Sequence, residues 1–133
     1  DLGLADCVEF TGWLNSREIE TLAAKSSIGI FPSRIESFGL SVVEAMATGL
    51  PVIAASGGAV PENIEDGVTG TLVPVNNSEA LAEAINRTLE KPQYSEMMAK
   101  AAKSRVQQKF SWDRAAENMI EIYKNIRMKM PSI

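Results

Sequence analysis

The sequence predicts an α/β fold, a Rossmann-like parallel sheet with helices flanking it. Three observations carry that expectation. Short apolar runs alternate with helical segments along the 133 residues. Strand-helix units recur at roughly 20 to 25 residues, the spacing of right-handed βαβ crossovers. Glycine, proline and cap residues punctuate nearly every junction.

The elements follow in chain order. Residues 8–12 read as a short strand, and Asn15 or Ser16 followed by Glu18 reads as the cap of a helix running to Ser26. Residues 28–31, closed by Pro32 and Ser33, suit a buried parallel strand. A polar loop leads to a helix over residues 40–48, stopped by Gly49 with Pro51 shortly after. Residues 51–55 form the next apolar strand, which runs into the turn Ser56-Gly57-Gly58. A helical turn over 60–64 and a tight turn at Asp66-Gly67 precede a last strand over 70–74. Ser78 is the expected cap of a helix to Glu90; Leu81 stands three residues on, so no capping box forms. Helices over 95–108 and 111–129 complete the chain, the second with Ser111 as cap and Asp113 in its first turn.

Composition narrows the function. With a net charge of -4 the chain lacks the clustered cations a phosphate-backbone binder needs, so nucleic acid is not an expected partner. It has no histidine and one cysteine, which excludes disulfide scaffolds, Cys/His zinc sites and His-based triads within it. Chemistry must run on carboxylates, hydroxyls and backbone amides. No apolar run approaches the roughly 20 residues of a membrane span, and the opening DLGLAD lacks a basic region, so a reducing, cytoplasmic location is expected. Asn86-Arg87-Thr88 matches a glycosylation sequon by chance, inside a helical pattern.

The informative stretch is residues 32–51. Glu36 sits in the loop and Glu44 about one turn inside the following helix. In open α/β sheets ligands bind beyond the carboxyl ends of strands, where the first amides of a helix favour anions. Gly39 permits close approach, and the amides of Gly39, Leu40 and Ser41 would face a diphosphate, with the Ser41 hydroxyl beside them. The two carboxylates could then hold hydroxyls at either end of the ligand. The ordinary reading of each glutamate alone is a dipole partner or a solvated face. Glu44, however, falls among apolar residues, where a carboxylate needs a partner or a pocket.

The run from Pro32 to Pro74 resembles the donor-binding signature of retaining glycosyltransferases of the GT-B type, family 4 type, glycosyl transferases group 1. The fragments E-x-F-G, E-A-M-A-x-G-x-P-V, G-G-x-x-x-E and D-G-x-T-G together carry the likeness, around an E-x7-E core at Glu36 and Glu44. The resemblance implies that residues 1–133 are part of one nucleotide-sugar-binding domain, the C-terminal half of such a fold. It implies Glu36 as the catalytic residue beside the transferred sugar, either as nucleophile or as a contact in a front-side attack. Glu44 would bind the ribose, while Ser37, Phe38, Gly39, Leu40 and Ser41 would bracket the diphosphate without a metal. Gly12 and Leu14 would lie by the nucleobase, and Trp13 is read first as a packing residue and second as a stacking face. The donor would be a UDP-, GDP- or ADP-hexose and the acceptor a sugar, lipid or small alcohol; the alternative is a non-catalytic nucleotide-sugar-binding or regulatory module. For Glu62, bracing its own loop weighs at least as much as ligand contact.

The chain departs from the family in lacking an N-terminal acceptor domain, two strand-helix units and their Arg-Lys pair. Arg34, the one cation near the motif, reads as a loop charge. In the strand order 3-2-1-4-5-6 both absent strands belong between residues 8–12 and 28–31. Those segments are therefore expected to pair directly, to swap with a second copy in an oligomer, or to leave the first unit displaced. The last helix interleaves Lys124, Arg127 and Lys129 with Ile126, Met128 and Met130. It reads as packing back across the parent, or else as a weak contact with the inner face of a membrane.

Overall fold

The computed structural model describes residues 2–129, in which three parallel strands form one sheet between two layers of helices. The elements are α1 (Ser16–Lys25), β1 (Gly29–Phe31), α2 (Leu40–Thr48), β2 (Val52–Ala55), α3 (Val60–Asn63), β3 (Thr71–Val73), α4 (Ser78–Glu90), α5 (Pro92–Lys109) and α6 (Trp112–Lys129). Strand order is β1-β2-β3, with Ile30 beside Ile53 and Ala54 beside Leu72. The α/β expectation holds.

Period-two geometry explains why β2 is the centre of the molecule. Successive side chains point to opposite faces. Val52 and Ala54 join Val42, Met46, Val60 and Ala102 on the α2/α5 face, and Ile53 and Ala55 join Val73 and Ala84 on the α4 face. All four β2 residues are buried. Met46 and Ile53 are among the largest fully enclosed side chains, each contributing about 1.5–3 kcal/mol by its burial.

The helix ends follow local chemistry. Asn15 and Glu18 form a reciprocal capping box, with Glu18 N donating to Asn15 Oδ1 at 3.1 Å and Asn15 N to Glu18 Oε2 at 2.8 Å. Gly49, at φ +84, closes α2 as expected. Ser111 Oγ accepts from Arg114 N at 3.2 Å. Two expectations shift. The cap of α4 is Asn77, whose Oδ1 accepts from Ala80 N at 2.9 Å, and Ser78 is already the first helical residue. Helix α5 begins at Pro92, not Ser95, because proline's fixed φ suits a first helical position. Ser95 is instead buried, and its hydroxyl donates to Thr88 O and Lys91 O, tying α5 to the end of α4.

Larger corrections concern the chain's first third. Residues 8–12 form no strand: a 3-10 turn at Ala5–Cys7 leads into an extended segment with Phe10 93% exposed. A strand needs a ladder partner, and this segment has none in the sheet. Direct pairing with β1 therefore does not occur, and α1 rests on α2. Consequently β1 is an edge and not a buried strand, and Ile30 is 41% exposed. Asp66 does more than turn the chain, since its carboxylate accepts from Leu72 N at 2.8 Å beside β3. Among the described residues no helix is long and apolar enough to cross a membrane. Met130 lies outside the described residues.

Candidate functional site

The loop that carries Glu36 leaves the carboxyl end of β1 and enters α2, the position where open α/β sheets bind ligands. A loop of this length needs external ties to hold one shape, and it has three. The first is the Gly57-Gly58 turn after β2. A Cβ on Gly57 would stand 2.2 Å from Arg34 O, and one on Gly58 2.1 Å from Glu36 O. No side chain fits there. Ala59 N then donates to Glu36 O at 2.9 Å, so the two loops run in backbone contact.

The second tie is Asn63, the last residue of α3, whose side-chain amide donates to Phe38 O. The third is an edge-to-face pair between Phe38 and Phe110, with ring centroids 5.7 Å apart; Lys109 Nζ lies 5.2 Å from the Phe110 ring. Helix α5 steadies α3 in turn. Arg105 Nε donates to Asn63 O at 3.1 Å and Lys109 Nζ to Glu62 O at 2.8 Å. Glu62 takes part in this bracing through its main-chain carbonyl.

Gly39 opens α2 in the left-handed conformation, φ +78 and ψ 44. The first amides donating into the helix are those of Val42 and Val43, both to Gly39 O at 3.1 Å. The amides of Leu40 and Ser41 precede that first bond, as at any helix start. They give the terminus a partial positive charge that favours an anion by about 0.3–1 kcal/mol. Leu40 and Ser41 are exposed, Gly39 is buried and Glu36 is half-buried. Among the described residues the Glu36 carboxylate makes no hydrogen bond or ion pair, and Arg34 makes no ion pair.

Glu44 projects from the outward face of α2, while Val43 and Met46 turn inward. It lines, with Ser41, a largely apolar groove of about 650 Å³ between α1 and the β1 edge, walled by Ile19, Leu22, Phe31 and Leu50. Glu44 is itself exposed, so solvent satisfies its carboxylate and the apolar sequence around it does not bury the charge. Glu36 and residues 37–40 lie outside the lining of that groove. Leu14 lines a different hollow alongside α1; Gly12 is exposed at φ +68, and Trp13 is 86% exposed and packs into no core. The structure therefore joins Glu36 to Glu44 through one loop and helix, while Leu14 lines a neighbouring hollow that shares Leu22 with the Glu44 groove. Among the described residues no three His, Cys, Asp or Glu side chains gather as a metal site.

Sequence reasoning missed Asn63, Arg105 and Phe110. Their contacts span 25 to 72 residues of chain, as with Asn63 to Phe38 and Phe110 to Phe38, and no local pattern records such pairs.

Residues 1–105 match the family model of glycosyl transferases group 1. The chain is 39% identical to a D-inositol 3-phosphate glycosyltransferase of Streptomyces griseus, over 92% of this chain and 26% of that protein. It superposes on HepE of Anabaena, solved with UDP, at a TM-score of 0.86 and 32% identity, covering 92% of this chain and 34% of HepE. HepE has also been solved with UDP-glucose. A third similar structure is the C-terminal domain of a glycosyl transferase group 1 protein, LpcC, of Francisella tularensis. There the TM-score is 0.71 and identity 31%, over 77% of this chain and 53% of that one. The solved neighbours are GT-B glycosyltransferases matched over their C-terminal part. The chain spans about a quarter to a third of the length of the curated relatives it matches.

Proposed function

Because this chain belongs to the glycosyl transferases group 1 family, we propose that it forms the nucleotide-sugar side of a retaining hexosyltransferase. The observation that carries the reading is one continuous unit: the Glu36 loop, locked by Gly57-Gly58, runs through Gly39 into α2, which carries Ser41 and Glu44. A nucleoside-diphosphate hexose fits that order of groups. The diphosphate sits at the α2 terminus, where the amides of Gly39, Leu40 and Ser41 and the Ser41 hydroxyl donate to it. Phe38 and Ser37 shape the approach. Glu44 accepts from the vicinal ribose hydroxyls as a bidentate acceptor, and Glu36, whose carboxylate has no partner among the described residues, faces the sugar and the reaction centre.

Amide donors stand where other transferases use a divalent cation, so the proposed donor binding is metal-independent. The acceptor, a sugar, lipid or small alcohol, would be held by parts of the longer protein that the relatives' length implies. Gly12 and Leu14, in the segment before α1, lie at the nucleobase end.

Isothermal titration of the intact protein with UDP, GDP and ADP, each in EDTA and again in magnesium, tests the reading. It predicts saturable binding of one nucleotide, equal in both buffers. Binding of none at millimolar concentration, or binding only with magnesium, would contradict it.

A further inference from the structure

Asn63 is 2% exposed, and its carboxamide is committed to a single main-chain oxygen, that of Phe38. That oxygen belongs to the peptide that joins Phe38 to Gly39. The peptide is planar and trans, so its N–H points opposite to its C=O. Drawing the carbonyl toward α3 therefore turns the Gly39 N–H away from α3. The left-handed conformation of Gly39 makes this peptide the hinge between loop and helix. Without a fixed carbonyl it could flip, since glycine populates both signs of φ.

Asn63 is itself immobilised. Arg105 Nε donates to its carbonyl at 3.1 Å, Arg105 Nη2 to Glu62 O at 3.4 Å, and Arg105 Nη1 stands 3.7 Å from Glu65 Oε2. A Cβ on Gly39 would lie 3.5 Å from Asn63 Nδ2, so the Asn63 side chain stands close beside the hinge. We propose that Asn63 is a positioning residue for the phosphate cradle. It holds the Phe38–Gly39 peptide with its N–H outward, so that the Gly39, Leu40 and Ser41 amides converge on one diphosphate. The inference rests on the donor-site reading above and adds to it a residue that touches no ligand.

Amide spectra of the intact, ¹⁵N-labelled protein titrated with inorganic pyrophosphate separate the two. In the wild type the Gly39, Leu40 and Ser41 amides should shift and saturate. Asn63→Leu, which keeps the branched shape of four heavy atoms and removes the donor, should weaken pyrophosphate roughly tenfold and diminish the Gly39 shift most. Asn63→Ser serves should the leucine variant not fold, with the same direction expected. Ser95→Ala, which cuts a buried hydrogen bond remote from the loop, should leave pyrophosphate affinity unchanged, so loss of stability alone cannot mimic the effect. Wild-type affinity and an unchanged Gly39 shift in the Asn63 variant would overturn the inference and leave the site standing. If the three amides fail to move in the wild type, the donor-site reading falls and the inference with it.

Discussion

Gly58 and Glu36 meet backbone to backbone: a Cβ on Gly58 would lie 2.1 Å from the Glu36 carbonyl oxygen and 2.8 Å from its amide nitrogen. Gly58 also sits at φ +59, where a side chain is strained before any clash. Both facts forbid substitution. Gly58→Ala should cost on the order of 1–3 kcal/mol from the backbone alone, and more from displacement of the Glu36 loop. Urea denaturation reads the first effect, and nucleotide affinity should fall with it. Gly12→Ala makes the matched control: φ is +68 but nothing lies within 4 Å of the added Cβ, so only the smaller backbone cost remains.

The α4 cap separates two adjacent residues. Asn77→Ala removes the oxygen that accepts from Ala80 N and should cost about 1 kcal/mol, whereas Ser78→Ala should stay within about 0.5 kcal/mol. Thermal denaturation of the two variants decides which residue caps the helix.

Core and surface should differ as sharply. Met46 is fully buried between the sheet and α5, so Met46→Ala should cost about 2–5 kcal/mol. Trp112, 91% exposed at the start of α6, should tolerate alanine within about 0.5 kcal/mol in this chain. A large loss of stability for Trp112→Ala in the intact protein would show that α6 is covered there.

What was legible in the sequence was local. The β2 run and α2, with its glycine at each end, were readable because burial on both faces and left-handed caps leave marks within a few residues. The Glu36 and Glu44 pair was readable as a spacing, and the Gly57-Gly58 turn as punctuation. Its role as a seat for the Glu36 loop was not, because close packing of two backbones leaves only an absence of side chains. Residues 8–12 looked like a strand since their composition suits one, yet a strand exists only with a neighbour, and the sheet supplies none. At the start of α4 two adjacent side chains, Asn77 and Ser78, are both good caps, and only the folded geometry selects Asn77. Asn63 carried no signal, for its partner lies 25 residues away.

The most direct test of the donor-site account is a paired titration of the wild type and Glu44→Ala, first with the nucleoside diphosphate the protein prefers and then with inorganic pyrophosphate. In the proposed site Glu44 holds the ribose and the α2 terminus the phosphates. Glu44→Ala should therefore weaken the nucleoside diphosphate by about 1.5–3 kcal/mol and leave pyrophosphate unchanged. Equal affinity of both proteins for the nucleoside diphosphate would contradict that placement.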